Sequence, residues 1–506
     1  MVTHRPIPKE DPALEAPPRR SPRHTVTPTG SAMSSRSESL VEDDETDNGH
    51  GIELKPLVHK TTTVDGDIHD HCSDVDDDDD VLGNSSSSNH HNPQRRNSSG
   101  ITTGSHAQCT AAVGTASNGQ VAVNIFISFV GAGLLGQPYA FQQAGWLVGA
   151  MTTTLVSAAN VYAMLLLVKT RQKLEASETH KGQIIKGYGD IGRVVNGPTG
   201  ERFVNLCLVI SQVGFATAYI IFIAANLHSV FADHLSRTMI CFGCVPLLCL
   251  LVQVQDMKTL SPFSLIADVA NLLGLSAVFF QDFEQYEAHH DVIQAATNFK
   301  GFIYVASVAI YSLEGVNLVL PLESSCADRK GFPRLLVQVI AGITALMVSF
   351  GCAGYVAFGA GTEAPITLNL SPEGPWGNFV KVALSLGLYL TYPVMMFPVG
   401  SVLEDNFESF RRYSWQTRAL VVVVTSFVAY AIPSFGKFLG LVGSSICMIL
   451  GFILPCYFHL KVFETSELSH VELVLDYSLI ILGSIMGVIG TYHSLADLVN
   501  GDDHEV

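Results

Sequence analysis

One acidic residue, Glu314, stands inside a long apolar run, in the stretch YSLEGVNLVLPLES from Tyr311 to Ser324. A carboxylate at membrane depth costs about 2.5–3.5 kcal/mol on insertion scales and marks an ion or substrate path by default. Such a group can bind and release a proton, or it can cap freed backbone N–H groups. A second stretch, VGAGLLGQPYAF from Val130 to Phe141, carries three glycines, a glutamine and a proline within an otherwise apolar run. Inside a helix each Gly costs about 1 kcal/mol and a Pro about 3. Both stretches therefore read as interrupted helices. Pro138 follows Gly131 by seven positions, and Pro321 follows Glu314 by the same interval.

Unpaired backbone groups cannot face lipid, so a break at membrane depth must line a cavity or be buried in protein. The N–H groups at the start of a half-helix carry partial positive charge and suit a carboxylate. The freed carbonyls of the other half suit an ammonium group. An amino acid zwitterion is a natural ligand for such a pair; other small anions or amines remain open. Gly131, Ala132, Gly133, Leu134 and Gly136 are the candidate binding residues of the first break, where glycine allows close approach. Tyr311 and Gly315 are those of the second, and Glu314 is the candidate for proton coupling. Tight helix packing through small residues is the competing explanation for the glycines.

The elements that must position these residues are transmembrane helices. The chain of 506 residues is 48% hydrophobic and only 15% charged, against about 25% charged in soluble proteins. From Gln120 onward eleven apolar runs approach the roughly 20 residues that span a bilayer: 120–143, 146–168, 203–228, 239–255, 262–281, 301–322, 333–358, 377–400, 417–435, 437–458 and 472–493. The two breaks fall in spans one and six. Interrupted spans at matching places in two five-helix halves point to an inverted-repeat transporter, with span eleven outside the repeat. An amino terminus on the cytosolic side places fifteen lysines and arginines in cytosolic loops and four opposite. That asymmetry orients the amino terminus in the cytosol and the carboxyl terminus outside it.

Residues 1–115 are rich in Ser, His, Asp and Pro and carry much of the net charge of −17. They read as a disordered acidic cytosolic tail. The run HDHCSDVDDDDD is read as a solvated charge run with no metal role. The first residues contain no apolar signal-peptide core, so insertion is expected to rely on span one. Residues 496–506 form a short acidic carboxyl-terminal tail. Cys241 and Cys244 form a CxxC within an apolar run and read as buried thiols rather than a zinc or redox site. Asn369-Leu370-Ser371 is a sequon on the non-cytosolic side. Asp268 and Asn271 share a helix face in span five. Tyr219, Tyr389 and Tyr392 could gate the path, and Lys381 and His493 are expected to snorkel from span ends. Nothing suggests nucleic acid, and no ATP-binding, nucleophile-elbow or HExxH motif occurs, so an enzyme or an ATP-driven pump has no local support.

NIFISFVGAGLLGQPYAFQQAGW (Asn124 to Trp146), GYGDIG (Gly187 to Gly192), SQVGFATAYIIFIAANL (Ser211 to Leu227) and YSLEGVNLVLPLES together resemble the amino acid/auxin permease family. The likeness covers residues 118–495 and is nearest to the family's vacuolar and proton-coupled branches. It implies an all-α membrane protein of the amino acid–polyamine–organocation type, with about eleven helices. It further implies neutral amino acids as substrates, protons as coupling ion, no cofactor, and export from vacuole or lysosome to the cytosol. Some proton-coupled members carry a histidine in span one, and residues 120–143 contain none. Gln137 and Asn317 also depart from the small or apolar residues expected there. A sensor with a transporter fold, or a sodium-coupled plasma-membrane carrier, is the alternative. The oligomeric state has no sequence signal.

Overall fold

The computed structural model describes residues 114–177, 185–232, 234–254, 267, 269–280, 293–370, 375–406 and 408–500. They are helical apart from short connections and one isolated bridge. The first span is α1 (Asn118–Phe129), a 3-10 turn (Ala132–Gly136) and α2 (Gln137–Ala144), bent by 45°. Ser117 starts it with a capping box, its hydroxyl receiving Gln120 N–H while the Gln120 side chain accepts from Ser117 N–H at 2.9 Å. This arrangement satisfies two otherwise orphaned donors. Then follow α3 (Trp146–Ala176), α4 (Tyr188–Val230), α5 (Arg237–Gly243), α6 (Val245–Leu251) and α7 (Val269–Phe280). The sixth span comprises α8 (Phe299–Ser312) and α9 (Val316–Ser325). The remaining helices are α10 (Phe332–Phe358), α11 (Pro375–Asn406), α12 (Glu408–Arg412), α13 (Ser414–Ala431), α14 (Phe435–Val442), α15 (Leu454–Val462) and α16 (His470–Asn500).

Among the described residues, seven helices are long and apolar enough to cross a membrane, and the bent first span makes eight. Arg237–Leu251 and Val269–Phe280 are apolar but shorter. The expected span 203–228 starts earlier, because α4 extends back to Tyr188 through a kink. Gly197 takes φ 68°, a conformation that favours glycine, and Pro198 follows it. Between α14 and α15 the helix widens into two π turns, Gly443–Cys447 and Ile449–Ile453, a deviation that often marks a functional site.

The two broken spans are tied together at both ends. At one end Ala116 N–H donates to Ser325 O and Ala327 N–H to Ala116 O, both at 3.0 Å. At the other, Thr297 N–H donates to Ala144 O at 3.1 Å and the Thr297 hydroxyl to Gln143 O at 2.5 Å. There Gly145, at φ 89°, turns the chain from α2 into α3, and a side chain on it would collide with Ala295. Trp146 and Leu147 N–H bond to Gln294 and Ala295 carbonyls at 3.1 Å, which covers the open start of α3.

Polar groups pin the surrounding helices. Arg171 in α3 ion-pairs with Glu323 in α9 at 2.6 Å, and neither is appreciably exposed. Its guanidinium also donates to Leu320 O at 3.0 Å and to the Ser324 hydroxyl at 2.7 Å. Asp476 in α16 is buried, accepting from Tyr162 at 2.8 Å and pairing with His459 at 2.7 Å. That network fixes a helix whose apolar stretch is only 17% buried. Lys381 does not snorkel. It is buried and donates to the Ser229 hydroxyl at 2.9 Å, a partner on α4 that its sequence position does not disclose.

Candidate functional site at the two helix breaks

The first break begins where Val130 leaves helical geometry (φ −88°, ψ 87°) and Gly131 becomes extended. The first bond of the 3-10 turn runs from Leu134 N–H to Gly131 O at 3.1 Å. The N–H groups of Gly131, Ala132 and Gly133 precede that bond, as the leading donors of any helix do. The second break lies at Leu313, Glu314 and Gly315, between α8 and α9. Helical bonding resumes with Leu318 N–H to Gly315 O at 2.9 Å. The carbonyl of Leu313, freed by the break, accepts from Asn160 Nδ2 on α3 at 2.6 Å.

The breaks face each other. Gly133 packs on Ser312 so closely that an added Cβ would stand 3.0 Å from Ser312 Cα. Gly315 lies against the Phe129 ring with no room for a side chain. Gln137 Nε2 donates to the Ser312 hydroxyl at 3.4 Å. Each span thus presents its break to the other, which a pair of unrelated kinks would not do.

The sequence-based candidates divide into two groups. Gly131, Ala132 and Leu134 line a cavity of about 20 Å³ with Asn271, Leu384 and Leu388. That is room for about one water. Gly133 and Gly136 do not line this cavity; Gly133 packs on Ser312, and Gly136 lies against Leu439 on α14. Tyr311 is buried, its ring 4.8 Å from Phe215 on α4, and its hydroxyl has no hydrogen-bond partner. Tyr219 reaches the first break, its hydroxyl 4.0 Å from where a Cβ on Gly131 would be. Tyr389 and Tyr392 do not join this group. They bond to Cys244 O at 3.2 Å and to the Thr425 hydroxyl at 2.6 Å. Asp268 lies outside the described residues.

Glu314 makes no ion pair and no side-chain hydrogen bond among the described residues. Its Oε2 lies beside Gly451 in the second π turn, 3.5 Å from where a Cβ there would sit. The titratable groups near enough to feel its charge are the Tyr188 phenol and the Cys447 thiol. Gln137 Oε1 and Asn160 Oδ1 are buried and also without partners. Orphaned polar atoms are expensive in a membrane interior and ask for a ligand, a proton or water. Sequence reasoning passed over Asn160. Its signal was available, a lone amide in the apolar run of span two.

Comparison with known proteins agrees with this reading of the chain. Residues 114–496 match the family model described as transmembrane amino acid transporter protein. The chain is 37% identical over 383 residues to amino acid transporter AVT3A of Arabidopsis thaliana, covering 74% of this chain and 88% of the relative. It is 34% identical over 398 residues to amino acid transporter ANT1 of the same plant, covering 74% and 90%. Vacuolar amino acid transporter 3 of Schizosaccharomyces pombe is 29% identical over 394 residues, covering 75% of this chain and 58% of the relative. These relatives are transporters and not enzymes, in line with the resemblance drawn from the break motifs. The chain belongs to the family of transmembrane amino acid transporter proteins and is a multi-pass membrane carrier of amino acids.

Proposed function

We propose that this protein is a secondary active carrier that moves neutral amino acids out of a vacuole or lysosome by alternating access, coupled to protons that bind Glu314. The observation that carries the reading is the facing pair of broken spans, with Gly133 against Ser312 and Gly315 against Phe129. Half-helix termini at such a pair suit the carboxylate and ammonium of an amino acid backbone. Gly131, Ala132, Gly133, Leu134, Gly136, Tyr311 and Gly315 would form the substrate-binding surface. Neutral amino acids as the substrate class follow from the resemblance of the break motifs to the family's vacuolar branch. An unpaired carboxylate beside the second break favours a proton as the coupling ion. The vacuolar membrane follows the name of the Schizosaccharomyces relative, and an acidic lumen would drive proton and substrate toward the cytosol.

The architecture proposed is two inverted five-helix repeats plus a final helix. Counting Arg237–Leu251, Val269–Phe280 and Ser414–Ala431 each as one crossing raises the eight spans to eleven. The charge asymmetry then supports a cytosolic amino terminus and a lumenal carboxyl terminus.

The test is flux into proteoliposomes under an imposed pH gradient, with labelled neutral, acidic and basic amino acids. The expected result is accumulation of a neutral amino acid that collapses with the gradient. Glu314→Gln should still exchange substrate and lose its response to pH. Gradient-independent flux by the unaltered protein, or accumulation that follows sodium, would overturn the coupling.

A further inference from the structure

Asn160 stands where α3 meets both the second break and the π turns between α14 and α15. Its side chain is almost wholly buried. The Leu313 carbonyl can only accept, so the amide must present its NH2 group there, at 2.6 Å. Oδ1 is thereby left as an acceptor without a donor. Oδ1 and Glu314 Oε2 approach the same point over Gly451, at 4.0 and 3.5 Å from where a Cβ there would sit.

Two bare oxygens repel each other, and an ionised carboxyl has no proton to offer an amide oxygen. A protonated carboxyl has one. We propose that Asn160 is a positioning residue for the coupled proton: its Oδ1 accepts a hydrogen bond from protonated Glu314 while its Nδ2 holds the Leu313 carbonyl. This inference rests on the proposal that Glu314 carries the coupled proton. The proton comes from water on the acidic side, resides on Glu314, and returns to water on the other side. Asn160 takes no proton itself.

The arrangement ties protonation to the shape of the break. With the proton present, Glu314, Asn160 and Leu313 O form one chain of hydrogen bonds across α3 and the α8–α9 junction. With the proton gone, two acceptors face each other and the Leu313 carbonyl loses a partner held in place from both sides. No Lys, Arg or His forms an ion pair with Glu314 among the described residues. The titratable groups facing it are Tyr188 from α4 and Cys447 from the first π turn. The Tyr188 hydroxyl is committed to Leu450 O at 3.0 Å.

The test is the pH profile of neutral amino acid uptake in proteoliposomes for wild type, Asn160→Ala, Gly451→Ala and Glu314→Gln, with substrate KM measured alongside. Asn160→Ala removes both amide contacts. Gly451→Ala keeps the Leu313 bond and adds a methyl 3.5 Å from Glu314 Oε2 and 4.0 Å from Asn160 Oδ1, ordinary contacts that leave both oxygens in place, so it serves as the packing control and should keep the wild-type profile. Asn160→Ala should lower apparent proton affinity by about threefold or more, moving the profile to more acidic pH, as loss of one hydrogen bond to the protonated form requires. Asn160→Ala should shift nothing further in a Glu314→Gln background. A flat Glu314→Gln profile with Asn160→Ala unshifted overturns the role of Asn160 and leaves Glu314 in place. A wild-type profile in Glu314→Gln overturns both. Should Asn160→Ala fail to fold, Asn160→Ser, whose shorter side chain lacks the amide oxygen but stays polar, is judged by the same criterion.

Discussion

Arg171→Ala should be among the most destabilising substitutions in the described residues, because it strands a buried carboxylate. Arg171 and Glu323 are 1% and 0% exposed. Removing one partner of such a pair costs about 3–5 kcal/mol. Glu323 keeps Gln172 Nε2 at 3.1 Å and Arg329 at 3.5 Å, so the lower end, about 3 kcal/mol, is the expected value. At about 2 °C per kcal/mol, the thermal midpoint in detergent should fall by about 6 °C. Replacing both partners, Arg171→Met with Glu323→Leu, removes the stranded charge and should recover at least half of that loss. A double variant no more stable than Arg171→Ala would refute the electrostatic account. The hydrogen bonds from Arg171 to Leu320 O and Ser324 would then be what holds α9 to α3.

Three further outcomes follow from the described contacts. Gly133→Val should abolish amino acid uptake in proteoliposomes, since its Cβ would press on the Ser312 backbone; uptake within threefold of wild type would show that the breaks need not touch. Asp476→Leu leaves Tyr162 and His459 without their acceptor and should cost about 2–4 kcal/mol, read as a lowered thermal midpoint. Asn369 should carry no glycan despite its sequon, because its side chain accepts from Glu363 N–H at 2.8 Å and donates to Gly361 O at 2.7 Å; a mobility shift on glycosidase treatment would contradict this.

The breaks were legible because Gly and Pro write their backbone cost directly into the sequence. The runs around Gly131 and Glu314 gave the positions of both interruptions, whereas the span expected at 203–228 missed the turns of α4 that begin at Tyr188, ahead of the kink at Gly197 and Pro198. What a run of letters does not carry is a partner. Lys381 looked like a span-end cation until Ser229 on α4 was placed beside it. Gly133 and Gly136 read as binding residues beside Gly131, yet the side each turns to Ser312 or Leu439 depends on helices more than 170 positions away. Asn160 was passed over for the same reason: its meaning comes from Leu313 and Gly451, and neither is near it in the chain.

The double tie between the broken spans has a mechanical consequence. With Ala116 joined to Ser325 and Ala327 at one end and Thr297 to Gln143 and Ala144 at the other, neither span can slide along its partner without parting a tie. The pair therefore behaves as one lever, whose pivot must lie in its contacts with the other helices. The first tie lies at Ala116, two residues before α1 begins. A tether placed on the residues that precede it would apply its torque to both spans at once.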